Sequence, residues 1–508
     1  MSDSSNPPEA SKNGDKPADK SADKAQRERV NQLLARAPVL SEDGVVLADG
    51  RRLEYKVRAS FVPVRAGGLD GQSGEPQAAV FTIAYAVATD AAAPVRPVCF
   101  AFNGGPGSSS IWLHLGALGP KRVPVADDGT MPASPYAVAD NPLTWLEHFD
   151  LVFIDPPHTG WSIAVDDKAR KALLSVDGDV DALAEVMRAW LAANGRFGAP
   201  LYLAGESYGT TRGAALANRL LDLGLALDGV ILVSCAMDLQ SIVFGPGNDL
   251  PYALFLPALA NVAQYHGRLK GGLGASPAAA RSAAEEFVAS HYLAALHAGA
   301  RLSATDRRRA EGRIADLTGL APALVREKNL RISDQCFFVE GLRAQGRIVG
   351  RLDARSTAPM AASGAREFDF DPGIDSFNAP YTTATLAYYA RLGLHDETRY
   401  EVLSMDVNKG WNWQRGEGNG KLNGYTSTSA DLSRAMRRNA RLRVFVASGR
   451  YDLGTPYSAS DWSLAQLDAP AEVLARVTHR YYDAGHMMYT RSADLRQLKV
   501  DLAQWLGA

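Results

Sequence analysis

Cysteine is scarce in this chain: 508 residues hold three, Cys99, Cys235 and Cys336. Three well-separated thiols make neither a disulfide framework nor a zinc knuckle, so the fold must rest on an apolar core. An excess of one charge is also missing. Lys and Arg number 54 against 56 Asp and Glu, a formal net charge of -2, which leaves no electrostatic footprint for nucleic acid or an anionic membrane. No apolar run reaches the roughly 18 residues that a membrane-spanning helix needs, and mean hydropathy is -0.15. The nine histidines are scattered, with no H-E-x-x-H or comparable ligand spacing, so neither a metal nor a cofactor is implied. What is present is 46% hydrophobic residues. That suits a sizeable core, over a length fit for two or three domains or one large domain with an insertion.

Residues 1–26 alternate Lys and Asp among Pro, Ser and Ala and hold no aromatic residue. Such a segment buries too little apolar surface to offset its chain entropy, so a disordered tail is expected. It has no apolar stretch followed by a small-residue cleavage site. With so few cysteines, the expected compartment is the cytoplasm; a misassigned start site would make the protein secreted or periplasmic.

The periodicity then becomes strand-like. Glu54–Val62 and Ala79–Ala86 flank a Gly-rich loop, 66–74, and predict an antiparallel hairpin. Pro97–Phe102, Leu151–Ile154, Leu201–Ala204 and Gly229–Val233 are short buried-strand runs, with an amphipathic helix over Asp179–Asn194 and another running from the 205–209 turn through Leu221. Strands alternating with helices predict a parallel sheet with right-handed crossovers. From 237 to 432 the chain turns Ala- and Arg-rich and mostly helical, as over Pro277–Leu296 and Ala304–Leu317. The βα rhythm returns at Leu442–Ala447 and ends in a helix over Ser492–Leu506. The expected organisation is a core over 27–236 and 433–508, split by a helical cap over 237–432. No internal repeat is visible, and Arg307-Arg308-Arg309 reads as a solvated helix face.

Ser207 lies in Gly205-Glu206-Ser207-Tyr208-Gly209, a G-x-S-x-G between a strand and a helix. That motif alone is a weak signal, but its placement suits a nucleophile elbow, which lifts the Ser oxygen to a helix N-terminus where amides can hold an oxyanion. A serine nucleophile needs a base, and His486 in Asp483-Ala484-Gly485-His486-Met487 follows it in the chain. An acid is then wanted between them at a strand end. Asp452, after Val444–Ala447, fits that order, and would hold the His tautomer. Taken singly, Asp452 could be an Asx-turn and His486 a loop residue bonded to backbone.

Together these motifs resemble the serine carboxypeptidase family. Asn103-Gly104-Gly105-Pro106-Gly107-Ser108-Ser109-Ser110 is similar to its N-G-G-P-G-C-S-S block. Gly205-Glu206-Ser207-Tyr208 resembles its G-E-S-Y block, and Gly485-His486-Met487 its G-H-M block. Asn141-Pro142 through Trp145, with Asp155-Pro156 and Gly160, is similar to a further stretch. The likeness covers about 100–233 and 444–489. It implies an α/β-hydrolase fold, a mixed and mostly parallel sheet flanked by helices with an inserted helical cap. It also implies a serine-type carboxypeptidase acting on peptides with a free C-terminus. Ser207 would be the nucleophile, His486 the general base and Asp452 its orienter, with the Gly105 and Tyr208 amides as oxyanion hole. Asn103, Gly104, Glu206 and Met487 would lie at the substrate. Neither nucleic acid nor membrane is an expected partner, and the oligomeric state stays open, a homodimer included.

Four departures stand out. Ala101 replaces the family's Trp, Ala117 replaces a second Glu before Leu118-Gly119-Pro120, Ser108 replaces the block's Cys, and the family's disulfides have no counterpart. Loss of the second Glu weakens the carboxylate-recognition network, so activity is expected to extend to neutral pH. The same triad also serves an esterase, an aminopeptidase-like hydrolase or an acyltransferase, and a catalytically silent binding protein is the remaining reading.

Overall fold

The computed structural model describes residues 20–65, 74–88, 94–364, 366–416 and 424–507. Helix α1 (Lys20–Ala35) leads into three antiparallel strands, β1 (Val39–Val46), β2 (Arg52–Arg65) and β3 (Pro76–Val87). The expected hairpin is β2–β3; most of its Gly-rich loop lies outside the described residues. The tail reading needs a correction. Residues 20–26 belong to α1, anchored where Gln26 Nε2 donates to the Ala164 carbonyl at 2.7 Å. Residues 1–19 lie outside the described residues.

The apolar runs form the sheet centre: β4 (Val98–Phe102), β5 (Asp150–Ile154), β6 (Leu201–Glu206) and β7 (Gly229–Val233). Every residue of these strands is buried, as parallel strands covered on both faces must be. β8 (Arg443–Gly449) and β9 (Val477–Tyr482) complete the order β1-β2-β3-β5-β4-β6-β7-β8-β9. Pairing is parallel from β5 through β9 and antiparallel from β1 through β5. Sequence reading missed β9, Val-Thr-His-Arg-Tyr-Tyr, because it is an edge strand with a single fully buried residue.

Helices α2 (Val176–Ala193) and α3 (Tyr208–Asp222) cover one face through Leu183, Leu191 and Leu216. An aromatic-rich layer covers the other, with Trp145, Tyr489 and Trp505. Within 237–432, α4 (Leu250–Tyr265) shares a separate apolar cluster with Ile314, Phe338 and Tyr457. Later parts of that segment join the core instead. Helix α5 (Pro372–Arg391) lays Phe377, Tyr381, Ala384 and Tyr388, a heptad-spaced stripe, into the aromatic layer. Helix α6 (Ser429–Arg438) adds Leu432 and Met436 to the opposite face. The chain ends in α7 (Ser492–Gly507).

Candidate active site

Ser207 occupies the single-residue turn between β6 and α3 at φ 59° and ψ −127°. Non-glycine residues avoid this conformation, and it persists only where the surroundings impose it. Here the Ser207 N–H donates to the Val233 carbonyl at 3.0 Å and the Ser207 carbonyl accepts from the Thr210 N–H at 2.8 Å. The flanking backbone passes too close for side chains. A Cβ on Gly205 would stand 2.2 Å from the Gly209 carbonyl oxygen, and one on Gly104 would stand 2.4 Å from the Tyr208 amide nitrogen. The Gly-rich block and the elbow therefore meet backbone to backbone.

Asp452 and His486 come together from the loops after β8 and β9. His486 Nδ1 lies 2.7 Å from Asp452 Oδ2. The carboxylate is held from its other side: Oδ1 accepts the amides of Gly454 at 2.7 Å and Thr455 at 3.0 Å, and Oδ2 accepts the Thr455 hydroxyl at 2.7 Å. His486 is fixed through its main chain as well. Its N–H donates to the Leu352 carbonyl at 2.6 Å, and its carbonyl accepts from Ser234 Oγ at 2.6 Å. Burial by itself lowers the His486 pKa, but the Asp452 carboxylate outweighs it and the net shift is upward. Asp452 moves the opposite way: burial raises it, while the imidazolium and the hydrogen bonds prevail and lower it. An imidazole bonded to a carboxylate through Nδ1 presents Nε2 as the proton acceptor.

Ser207, Gly105 and Tyr208 line a cavity of about 440 Å³. Tyr208 begins α3, so its amide has no intrahelical acceptor. The cavity walls are Leu239, Ile242 and Val243 on one part and Trp413 and Tyr425 on another. Asn103, Gly104, Glu206 and Met487 lie behind this wall rather than on it, all four buried.

Behind the elbow, Glu206 accepts two hydrogen bonds, from Asn103 Nδ2 at 3.0 Å and from Tyr489 Oη at 2.6 Å. Burial pushes its carboxyl up to about 7, against the lowering influence of His486 and the two donors. Asn103 Oδ1 accepts from the Leu113 N–H at 3.0 Å, and the Asn103 carbonyl accepts from Arg212 Nη1 at 2.6 Å. Arg212 is fully buried between the Phe102 and Tyr208 rings and pairs with Asp179 at 2.6 Å. The remaining block residues are structural in their contacts. Asn141 Nδ2 donates to the carbonyls of Ala117 and Gly119, and Asp155 accepts the Ser110 amide, the Ser110 hydroxyl and the Tyr400 hydroxyl.

Sequence reading missed three contributors. Tyr489 lies three residues beyond His486, and its ring packs against Gly116, next to Ala117. A tyrosine within an apolar run carries no motif signal. Thr455 braces the acid, and Leu352, from the helical segment, braces the His loop. Ser108, where the family has Cys, accepts from Trp112 Nε1 at 3.0 Å. Residues 402–404 pair with the Gly-rich block: Ser109 N–H donates to Val402 and Ser404 N–H to Gly107. All three cysteines are free thiols, so packing and hydrogen bonds hold the loops.

A family model described as serine carboxypeptidase matches residues 77–247. Over that third of its length, which includes the Gly-rich block and the Ser207 elbow, the chain is similar to the serine carboxypeptidases. Among solved structures, it is similar to Kex1(delta)p, a prohormone-processing carboxypeptidase from Saccharomyces cerevisiae, with 14% identity, TM-score 0.54, and coverage of 88% of this chain and 91% of that one. That likeness establishes the hydrolase fold. A proline iminopeptidase from Mycobacterium smegmatis (13% identity, TM-score 0.34, coverage 92% and 98%) and an acetylester hydrolase from Corynebacterium glutamicum (10%, 0.36, 93% and 96%) are more distant. No curated protein matches this chain.

Proposed function

We propose that the protein is a serine-type carboxypeptidase. The observation that carries this reading is the conjunction of strained Ser207, on a cavity that Gly454 and Thr455 of the acid loop also line, the bonded Asp452–His486 pair, and a buried Asn103–Glu206–Tyr489 network directly behind the elbow. An esterase needs the first two features; the buried carboxyl network has a use when the substrate ends in a carboxylate.

In this reading His486 Nε2 takes the Ser207 proton as Oγ attacks the last peptide carbonyl. The amides of Gly105 and Tyr208 hold the oxyanion. The C–N bond breaks, His486 passes its proton to the leaving amine, and the C-terminal amino acid departs. Water, deprotonated by His486, then attacks the acyl-enzyme and releases the shortened peptide, returning the proton to Ser207. A substrate carboxylate on the cavity side of the elbow is favoured while Glu206, buried behind it, is protonated, because a second negative charge nearby would repel it. The open apolar and aromatic wall, Val243, Trp413 and Tyr425 among it, suits a bulky apolar side chain next to the scissile bond.

The test compares blocked dipeptides having a free C-terminus with their C-terminal amides. Preference for the free acid supports the carboxypeptidase reading, and equal rates on both favour a general acyl hydrolase. A fluorophosphonate probe that labels wild type but not Ser207→Ala supports the nucleophile; unaltered labelling removes Ser207 from that role.

A further inference from the structure

Among the described residues, the cavity is lined by a cation, Arg351, whose side chain has no hydrogen-bond or ion-pair partner. Arg351 lines it together with Ser207, Gly105 and Thr455. Its guanidinium carbon stands 3.4 Å from the position a Cβ on Gly454 would take, so it lies over the loop that carries Asp452. Among the described residues, no acceptor is within bonding reach of this guanidinium. Elsewhere in the chain the arginines near carboxylates are mostly paired, as Arg331 is with Asp249 and Arg355 with Asp353. Asp334 lines the same cavity, but its Oδ1 accepts the Gln335 amide and it forms no ion pair with Arg351. The Arg351 charge attracts the Asp334 and Asp371 carboxylates from beyond ion-pair distance, and its N–H donors stay unbonded among the described residues.

The backbone under Arg351 is anchored on both sides. Its N–H donates to Asp371 Oδ1 at 2.8 Å and its carbonyl accepts from the Leu453 N–H at 3.0 Å. The next residue, Leu352, donates to Asp371 Oδ2 at 3.1 Å and accepts from the His486 N–H at 2.6 Å. One short strand of chain thus ties the acid loop and the His loop together and presents a guanidinium beside them. A fork of parallel N–H donors on an anchored backbone is matched to a planar carboxylate. Long, flexible arginines on a free surface lack that preorganisation.

We infer that Arg351 is a specificity-determining residue that docks a carboxylate of the substrate within the catalytic cavity. The inference rests on the acyl-hydrolase reading of that cavity and adds to it a recognition group outside the Asn103–Glu206 network. The carboxylate has two possible sources on a peptide, the C-terminus and an acidic side chain, and the experiment separates them.

Binding is measured by calorimetry on full-length Ser207→Ala, with and without Arg351→Met or Arg351→Lys. Three N-acetyl dipeptide ligands are used: a neutral side chain with free carboxylate, the same dipeptide as C-terminal amide, and a C-terminal amide with a Glu side chain. Arg351→Met is expected to weaken one of the two carboxylate ligands by about 10–100-fold and the neutral amide by less than about 2-fold, with Arg351→Lys recovering part of the loss. Loss on the first ligand identifies the C-terminus as the source, and loss on the third identifies the side chain. Equal weakening of all three, no weakening, or no binding of either carboxylate ligand at millimolar concentration overturns the inference. In the otherwise wild-type enzyme the same loss is expected in KM rather than kcat. Hydrolysis persisting in Ser207→Ala would count against the catalytic reading while leaving the binding comparison intact.

Discussion

Tyr489 Oη donates to Glu206 Oε2 at 2.6 Å, and its ring packs against Gly116. A phenol this buried stays neutral, its pKa raised well above the ordinary value by burial and by the Glu206 charge. It therefore cannot share a proton as a second carboxyl does; it donates. Glu206 is left as a single buried acid with a pKa of about 7. On peptides with a free C-terminus, kcat/KM is expected to fall as pH rises through about 7, where Glu206 ionises and repels the substrate carboxylate. The acid limb belongs to His486, which must lose its proton to act as base; burial opposes its charge, but the Asp452 carboxylate raises its pKa above the ordinary value. The resulting profile is a bell whose alkaline limb lies at about 7. Amide and ester substrates should keep the acid limb and lose the alkaline one, as should Glu206→Gln on peptides. An alkaline limb that survives Glu206→Gln would assign it elsewhere.

Stability carries the same group with a definite sign. A carboxyl raised from 4.5 to about 7 binds a proton in the folded chain that the unfolded chain has released. Folding stability is therefore lost as pH rises from 4.5 to about 7, by an amount on the order of 3 kcal/mol. Glu206→Gln should raise Tm relative to wild type at pH 8 and leave it nearly unchanged at pH 4, read by calorimetry at both values.

Tyr489→Phe removes one of the two donors to Glu206. Hydrogen bonds to a carboxylate favour its ionised form, so the Glu206 pKa should rise and the alkaline limb of the peptide profile should move to higher pH. The fold should lose about 1–2 kcal/mol from the unsatisfied acceptor, measured by urea unfolding at pH 8. A profile that stays in place would mean that Tyr489 does not set the Glu206 titration.

Much of this arrangement was legible because Ser207, Asp452 and His486 each sit in a short motif at a strand end, and the central strands are unbroken apolar runs. β4 to β8 were visible for that reason. β9 was not, since His479 and Arg480 at the sheet edge break the apolar signal. The helical segment misled in a different way. Its composition predicts helices but not their destination, and only the three-dimensional packing of Tyr381 and Tyr388 shows α5 to be part of the core layer. Leu352 and Tyr489 were invisible in principle: one acts through its main chain, the other through a contact 283 residues distant in sequence.

Arg212 and Asp179 form a fully buried ion pair beneath the elbow, and Arg212 also holds the Asn103 carbonyl. Removing one partner leaves an uncompensated charge, which typically costs about 3–5 kcal/mol. Arg212→Met should therefore lower stability by about that amount and reduce kcat by releasing the Gly-rich block. Asp179→Asn combined with Arg212→Met should recover part of the stability but not the kcat, because the bond to Asn103 stays lost. Denaturant unfolding of the two variants, with kinetics, separates charge burial from positioning.

Asp371 offers a test of positioning at a distance from the reacting atoms. Its carboxylate accepts the amides of Arg351, Leu352 and Gly373, and Leu352 in turn takes the His486 N–H. The carboxylate touches neither the nucleophile nor the cavity, so a substitution there acts through the backbone it anchors and through its charge near Arg351. Asp371→Ala frees three amides and should lower stability by about 1–3 kcal/mol. If that strap sets the His486 loop, kcat should fall by about 10-fold or more while the His486-dependent acid limb shifts, and Asp371→Asn, which keeps one acceptor oxygen, should restore part of kcat. A stability loss with kcat and the acid limb unchanged would make Asp371 a helix cap for α5 and nothing more.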